Sequence, residues 1–178
     1  MDWNEKFAVV EACLEVNEEI EQDFYLQPSG VSADGLSSLQ AEFPFVSDDY
    51  LRFLQRTNGA DIAQCRFVEV ERIPAAIEQY GDVYLPKRWL PFGYDAGGDP
   101  LLLHESGQVA LGDGTSSSET FEFLADTFAD FLENVLMGQR YGAIFRIPLD
   151  EQITFYEEEL DDDPWLAFLV EQTWLRIS

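Results

Sequence analysis

The stretch LQAEFPFVSDDYLRFLQRTNGADI, residues 39–62, contains the signals that decide the fold. A short helix is predicted from Leu36 to Glu42, and the step Phe43-Pro44 ends it because a residue before proline disfavours helical geometry. Ser47 can cap a second helix by accepting from the N–H groups of its first turn. The apolar positions of that helix are Tyr50, Leu51, Phe53 and Leu54, and Asn58-Gly59 provides a left-handed exit.

Three β-prone runs with turn residues between them follow this helix. They are RFVEVERI at 66–73, VYLPKRWLPFGYD at 83–95 and PLLLHESGQVALGDG at 100–114. In the last run, Leu101 to His104 and Gln108 to Leu111 flank Glu105-Ser106-Gly107 as the arms of a hairpin flank its turn. An antiparallel meander is the simplest arrangement of these strands.

Apolar spacing predicts two further helices and leaves a mixed C-terminal region. Residues 2–24 have the spacing of an acidic amphipathic helix, which the turn formers of QPSGVSADG then end. Residues 120–137 place seven apolar residues on one broad helical face, which should pack on the sheet. After residue 137 come a β-prone run GAIFRIP, a charged loop and the aromatic tail WLAFLVEQTWLRI. The prediction is a single α+β domain with a twisted antiparallel sheet and helices around it.

The formal net charge of −25 on 178 residues is the strongest compositional feature. Residues 1–50 hold 12 acids against one lysine, and residues 148–178 hold 9 acids against one arginine. An apolar fraction of 46 % argues for a folded globule rather than a charged disordered chain. The excess of carboxylates favours a basic partner and makes contact with nucleic acid repulsive, although a solvated surface would also explain it.

The N-terminus and the cysteines bear on location. MDWNEKFAVVEACLEV lacks a basic region before its apolar residues and meets Glu11 early, so we expect neither a signal peptide nor a membrane span. Cys13 and Cys65 form no CxxC pair and are typical of buried thiols in a reducing compartment, with a disulfide left open. We therefore expect a cytoplasmic protein.

The order of these motifs resembles the SUKH superfamily, the Smi/Knr-like proteins. Residues 39–62 are similar to its Leu/Phe-Pro step, Y-x-x-F-L helix and Asn-Gly exit. WLPFGYDAGGDPLLLHESGQVAL at 89–111 is similar to its aromatic and glycine strand pair, and ETFEFLADTFADFLENVL at 119–136 to its closing helix. The resemblance divides the chain into an acidic N-terminal helix and linker at 1–31, a SUKH-like core at 32–137 and a C-terminal extension packing on the core at 138–178.

The resemblance implies non-enzymatic work by protein binding. Members include bacterial immunity proteins that neutralise polymorphic toxins, often nucleases, and fungal regulators of cell-wall synthesis. We therefore expect an immunity protein that occludes a basic toxin domain stoichiometrically, or, as the alternative, a regulatory or scaffold module that binds a cellular enzyme. Neither requires a cofactor, a nucleic acid or a membrane, and the oligomeric state stays open.

Carboxylates with aromatic anchors beside them suit a basic protein surface. For each residue the alternative is an ordinary role, a solvated surface for the acids and the core for the aromatics. The residues that we expect at the interface are Glu11, Glu15, Glu18 and Glu19 of the first helix, Glu157, Glu158, Glu159, Asp161, Asp162 and Asp163 of the late loop, and the anchors Trp3, Tyr25, Tyr94 and Trp165.

Enzymatic interpretations find little support. His104 is the only histidine, and we expect its strand neighbours to point away from it, so that it cannot activate a nucleophile. Motifs for phosphate loops, zinc proteases and serine hydrolases are absent from the sequence. Asp95, Asp99 and Asp113 could hold a divalent ion in a hydrolase, but turn formation explains them more simply.

Overall fold

The computed structural model describes residues 1–114 and 121–178. Within them, seven strands form one antiparallel sheet in the order β1-β2-β3-β4-β5-β6-β7, so every strand pairs with its neighbours along the chain. This is the predicted meander, and it confirms the α+β class. The strands are β1 Phe24–Leu26, β2 Ala60–Ile62, β3 Cys65–Phe67, β4 Trp89–Tyr94, β5 Pro100–His104, β6 Val109–Leu111 and β7 Glu122–Ala125.

Helices cover both faces of the sheet. The α-helices are α1 Trp3–Leu14, α2 Ala33–Glu42, α3 Asp48–Arg56, α4 Ile73–Tyr84, α5 Phe128–Asp130, α6 Gln152–Glu159 and α7 Pro164–Glu171. A π-helical segment, Phe131–Leu136, continues α5. Short 3₁₀ helices lie at Glu18–Ile20, Val70–Arg72, Leu85–Lys87 and Tyr141–Phe145.

The segment that opened the sequence analysis folds as predicted. The side chain of Ser47 accepts from the Tyr50 N–H at 3.4 Å at the start of α3. Gly59 has a φ of 107°, a left-handed backbone that glycine adopts without strain. The predicted hairpin is also present, because β5 pairs with β6 and Gly107 occupies the turn with a φ of 91°.

The main core lies on one face of the sheet, which we call the core face. There Phe53 of α3 and Phe128 of α5 pack with their ring centroids 5.4 Å apart, and Phe92 of β4 lies 5.6 Å from Phe128. The opposite face, called here the outer face, is covered by α4 over its middle strands. Tyr80 and Tyr84 of α4 join a smaller apolar cluster, whose other members are Trp89, Leu102 and Ala110.

A buried lysine ties α1 to the core. Only 7 % of Lys6 is exposed, and its Nζ donates to the carbonyl oxygens of Glu133 at 2.8 Å and Met137 at 2.6 Å. The ammonium also lies 4.7 Å from the ring centroid of Trp174. These carbonyls end the π-helical segment, so Lys6 supplies donors to groups that the helix itself leaves unpaired. Burial lowers the pKa of Lys6 to about 8.

Several local predictions were wrong. The helix predicted over 2–24 ends at Leu14, and its last residue begins β1. Residues 73–84 form α4, a helix that was not predicted and that includes the ends of two β-prone runs, at Ile73 and at Val83 and Tyr84. Val83 and Tyr84 pack in the smaller apolar cluster of the outer face as helix residues. The helix predicted over 120–137 is a strand until Ala125, and its start at Thr120 lies outside the described residues. Of the tail, GAIFRIP is largely a 3₁₀ helix, and Glu157–Glu159 lie in α6 rather than a loop.

The structure also describes two features that the sequence raised, membrane-spanning helices and the cysteines. Among the described residues, no helix has the length and apolar character that crossing a bilayer requires. Both cysteines are free thiols, so the disulfide left open above is not formed in this structure. Cys65 is buried, which raises the pKa of its thiol, and Cys13 is half-buried.

The division of the chain into three parts, with boundaries after residues 31 and 137, stays a prediction.

Candidate protein-binding surface

The two acidic ends of the chain meet in the folded protein. The 3₁₀ helix Glu18–Ile20 contacts α7, and the ring of Phe24 stacks on that of Trp165 with centroids 6.0 Å apart. The residues just before Phe24 and just before Trp165 are therefore neighbours in space. We call the surface that they form the acidic face; its members are Glu18, Glu19, Glu21, Asp23, Asp161, Asp162 and Asp163.

Most of the acidic face is exposed and uncompensated. Only Asp23 and Asp163 are half-buried, and the other five members are exposed. Within the described ranges, none of the seven forms an ion pair with lysine or arginine, although most arginines of the chain do. A surface of unpaired carboxylates keeps its negative potential available to a cationic partner.

The surroundings of Asp23 oppose its ionisation. Burial, together with the nearby charge of Asp163, raises the pKa of Asp23 to about 6. Asp163 itself caps α7 by accepting from the Leu166 N–H at 3.0 Å, and its other oxygen accepts from the Tyr141 hydroxyl at 2.8 Å. The same carboxylate and the burial of the ring raise the pKa of Tyr141. Asp163 is therefore held in place by the fold at the edge of the acidic face.

The remaining predicted acids lie outside this face. Glu11 on α1 forms an ion pair with Arg56 of α3, with Oε2 2.6 Å from Nη2, so part of its charge is already compensated. Glu15 is exposed just after α1. Glu157, Glu158 and Glu159 are exposed on the last turn of α6, and the carbonyl of Glu159 accepts from the N–H groups of Asp162 and Asp163. That turn therefore leads directly into the acidic face.

The four aromatic residues divide into two pairs. Trp3 is 3 % exposed and Trp165 is 0 % exposed, and both belong to the main core. Neither ring is available to a partner in this structure, because each packs against phenylalanine in the chain's own interior. Tyr25 is 49 % exposed, and Tyr94 is half-buried. Of the four predicted anchors, these two tyrosines keep surface that a partner could contact.

The two tyrosines end a row of side chains that crosses four strands. Tyr25 of β1 is opposite Asp61 of β2, which is opposite Arg66 of β3, which is opposite Tyr94 of β4. Because alternate residues of a strand point to opposite faces, all four lie on the outer face. Three spacings between strands separate the tyrosines by about 14 Å. In the middle of the row, Arg66 Nε donates to Asp61 Oδ1 at 2.8 Å.

The row forms the floor of a groove that runs beside α4, whose Tyr80 packs on Tyr94 with ring centroids 6.0 Å apart. A cleft of about 440 Å³ lies on one side of the ion pair, between Tyr25 and the start of α4. A second cleft of about 410 Å³ lies on the other side, and Gln22, directly before Asp23, lines its end. The two clefts share Asp61, Arg66 and Tyr94. We call them together the sheet groove, and it adjoins the acidic face at Gln22.

The structure corrects one argument about His104. Ser106 was expected to point away from it, but the turn brings Ser106 Oγ to 2.9 Å from His104 Nδ1. Ser106 Oγ also lies 3.1 Å from Gln108 Oε1, and the His104 ring packs on Trp89 with centroids 4.6 Å apart. Glu105, the nearest carboxylate in sequence, forms an ion pair with Arg88. The contacts tie the hairpin turn together on the surface, outside any cleft described above.

Two of the three aspartates weighed as metal ligands, Asp95 and Asp99, have structural roles. Asp95 Oδ1 accepts from the N–H groups of Gly97 and Asp99 at 2.9 and 2.8 Å, as a turn aspartate does. Asp99 accepts from the Gly114 N–H at 2.8 Å and forms an ion pair with Arg146. In the part of the chain that the structure describes, no three acidic, histidine or cysteine side chains cluster as a metal site would require.

Sequence reasoning missed Asp61 and Arg66 as surface residues of interest. Both occur in short strands whose neighbours Ile62 and Phe67 are buried, so alternation alone indicates that they face away from the core. The pairing of β1 with β2 and of β3 with β4 then sets them between the two tyrosines. That pairing depends on β1, which the sequence analysis did not predict as a strand and whose first residue, Phe24, it placed at the end of a helix.

The fold defines the class of this protein. An antiparallel meander of seven strands in the described residues, with helices around it, is a single-domain α+β protein of SUKH-like fold. The model of the SMI1 / KNR4 family (SUKH-1) matches residues 30–134, more than half of the sequence, and the chain belongs to this family. Membership supports a SUKH-type protein-binding or immunity module, in a family that is generally non-catalytic. A comparison with curated proteins finds no match.

Proposed function

We propose that this chain is an immunity protein that neutralises a cognate toxin by binding it stoichiometrically and blocking its active surface. The observation that supports the proposal best is the acidic face, in which carboxylates from both ends of the chain meet with no base of the described residues paired to them. The toxin would be a basic protein domain, and a nuclease fits well because it must hold phosphates with lysine and arginine.

The distribution of bases supports a directed field. Within the described residues, seven arginines pair with carboxylates outside the acidic face, which offsets part of the charge there, whereas the seven carboxylates of the acidic face have no such partner. The arginines in these pairs are Arg52, Arg56, Arg66, Arg72, Arg88, Arg140 and Arg146.

Fast capture is the expected advantage of such a field. Complementary charge raises association rates to roughly 10⁸–10⁹ M⁻¹s⁻¹ at low salt, and added salt reduces the gain because it screens exposed charges. An antidote benefits from speed, since a toxin molecule that stays free continues to act. We place the encounter in the cytoplasm, on the sequence grounds given above, and with no nucleic acid or membrane as a partner.

The alternative is a regulatory or scaffold module that binds a cellular enzyme. The sheet groove is open to this alternative as well, because one cationic side chain beside Asp61 and the tyrosines does not require a strongly basic partner. Both functions use protein binding without chemistry by this chain. They differ in what the partner does when this protein is missing.

Co-expression with the neighbouring gene tests the proposal. If the adjacent reading frame encodes a large protein with a basic C-terminal domain, expressing that domain alone should stop growth, and adding this chain should restore it. The purified pair should then form a complex of one copy each by calorimetry. A toxic domain that this chain neither binds nor neutralises would refute immunity, and a partner that is a harmless housekeeping enzyme would support the regulatory alternative.

A further inference from the structure

Among the described residues, one carboxylate oxygen of the sheet groove has no hydrogen-bond partner. Arg66 contacts Asp61 through one bond, from Nε to Oδ1, and among the described residues nothing donates to Asp61 Oδ2. The Asp61 side chain keeps 38 % of its surface exposed, and both clefts are lined by it. A second cationic group can therefore reach Oδ2 without displacing Arg66.

An aromatic ring stands beside that oxygen. Tyr25 is the strand partner of Asp61 and lies on the same face, where neighbouring side chains of an antiparallel pair are about 5 Å apart at Cβ. Within the described ranges, the Tyr25 ring makes no contact with another aromatic ring or with a cation, and half of its surface is open. A free ring next to a free carboxylate oxygen matches a guanidinium group, which stacks on aromatic faces and donates in its plane.

Charge and position favour a cation over other occupants. Three carboxylates line the groove, Asp61, Glu69 and Asp95, against the two arginines Arg66 and Arg72. The groove also opens at Gln22 onto the acidic face, whose potential attracts a basic protein. A partner that binds the acidic face would therefore lie beside the opening of the groove.

We propose that the sheet groove receives an arginine side chain of the basic protein partner, with its guanidinium on Asp61 Oδ2 and its plane against the ring of Tyr25. This inference rests on the proposed function for the nature of the partner. The two surfaces then have different roles. The acidic face accelerates the encounter, and the groove holds the bound partner. Salt screens the groove contacts less because they are partly enclosed.

A titration with a small probe tests the groove without any toxin. Nα-acetyl-arginine amide is added to ¹⁵N-labelled protein at low ionic strength, and its neutral isostere Nα-acetyl-citrulline amide is the matched control probe. The arginine probe should shift the amide signals of Tyr25, Asp61 and Arg66 in a saturable way, and the citrulline probe should not. Asp61→Asn should weaken the binding by about three- to fivefold, since an exposed ion pair is worth up to roughly 1 kcal/mol, a factor of about five.

Matched variants exclude a general effect of charge. Asp150→Asn removes the same charge from an exposed turn outside the groove and should leave the titration unchanged. Tyr25→Phe keeps the ring and should retain binding, whereas Tyr25→Leu should weaken it. Equal shifts from both probes, the absence of shifts in the groove, or arginine shifts confined to the acidic face would overturn the proposal.

The two proposals can fail separately. The titration contains no toxin, so a positive result stands even if this chain proves to be a regulatory module. The groove proposal can also fail while the immunity proposal holds. In that case the wild type, Asp61→Asn and Tyr25→Leu all neutralise the cognate toxin, and their complexes with it dissociate at the same rate. That result would refute the role of the groove and leave the immunity function in place.

Discussion

The rings of Phe24 and Trp165 stack with centroids 6.0 Å apart and planes inclined by 13°. One ring follows the N-terminal acidic segment and the other follows the C-terminal one, so this contact brings the two acidic segments to one side of the molecule. Charges of like sign repel each other, and apolar burial must offset that repulsion. Trp165 contributes strongly, because it is fully buried and its Nε1–H donates to the Leu136 carbonyl at 2.9 Å.

Replacing Trp165 tests this link directly. Trp165→Ala should lower the free energy of unfolding by about 3–5 kcal/mol, as large-to-small changes of fully buried aromatics do. Trp165→Phe keeps a ring against Phe24 but leaves the Leu136 carbonyl without its donor, and should cost about 2 kcal/mol. Denaturant unfolding measures both. Leu149→Ala, at a side chain that is 72 % exposed, is the control and should stay within about 0.5 kcal/mol of the wild type.

Reversing charge on the acidic face should slow the capture of a basic toxin. The triple change Glu18→Lys, Glu19→Lys and Glu21→Lys should reduce the association rate by about tenfold at low salt and flatten its salt dependence, because steering depends on unscreened charge. Stopped-flow fluorescence at two salt concentrations measures the rate. The dissociation rate should change much less.

A second triple change alters the net charge by the same amount as the first and serves as the control. Glu42→Lys, Glu78→Lys and Asp126→Lys alter exposed acids on α2, α4 and the β7–α5 connection. If this variant slows association as much as the first one, the effect belongs to the net charge and not to the acidic face.

Charge reversal of Glu157, Glu158 and Glu159 to lysine tests separately whether the end of α6 contributes to the interface. Unchanged association kinetics would show that it does not.

Asp23 should make stability depend on mildly acidic pH. Its pKa is raised from 3.8 to about 6, so the folded protein retains a proton that the unfolded chain releases. Stability from this group is therefore present at low pH and is lost as the pH rises from about 4 to about 6. Asp23→Asn should flatten that part of the pH profile and raise stability at pH 7 by about 1 kcal/mol, a figure reduced for partial solvent exposure. Denaturant unfolding at a series of pH values measures this, with Asp150→Asn as the control. The prediction is wrong if the free energy of unfolding of Asp23→Asn still falls between about pH 4 and pH 6 as it does in the wild type.

Gly30 should tolerate no side chain. A Cβ at this position would lie 1.9 Å from the carbonyl oxygen of Gln55, since the chain here is bonded to the end of α3 through the Val31 N–H and the Leu54 carbonyl at 2.7 Å. Gly30→Ala must move the backbone and should cost about 2–3 kcal/mol. At Gly97 the nearest atom would be 3.4 Å away, so Gly97→Ala is the matched control. Equal melting temperatures for the two variants would show that the segment is not held against α3.

The local signals in the sequence were sufficient for the elements whose ends are marked by capping or turn residues. Helix α3 has a capping serine, an apolar face and an Asn-Gly exit, and the β5–β6 hairpin has a glycine where the turn needs a positive φ. In both cases residues close in the sequence specify the conformation. Helix α4 was missed because Val83 and Tyr84 favour strands in isolation, and their contacts with the outer face override that preference.

The candidate surface was only partly predictable for the same reason. Composition identified an acidic protein, and the predicted acids Glu18, Glu19, Asp161 and Asp162 do lie on one exposed face. The anchors Trp3 and Trp165 could not be separated from Tyr25 and Tyr94 by residue type, because aromatic residues serve both cores and interfaces. Burial, which depends on the whole fold, separates them.

The sequence by itself determined the family, the α+β class and the excess of negative charge, because these depend on residue identity and on spacing over a few turns of chain. Only the tertiary structure decided that the two acidic ends share one face and that Asp61 and Arg66 stand between two tyrosines. Those juxtapositions join residues far apart in the chain, and long-range strand pairing and core packing, rather than local preference, bring them together.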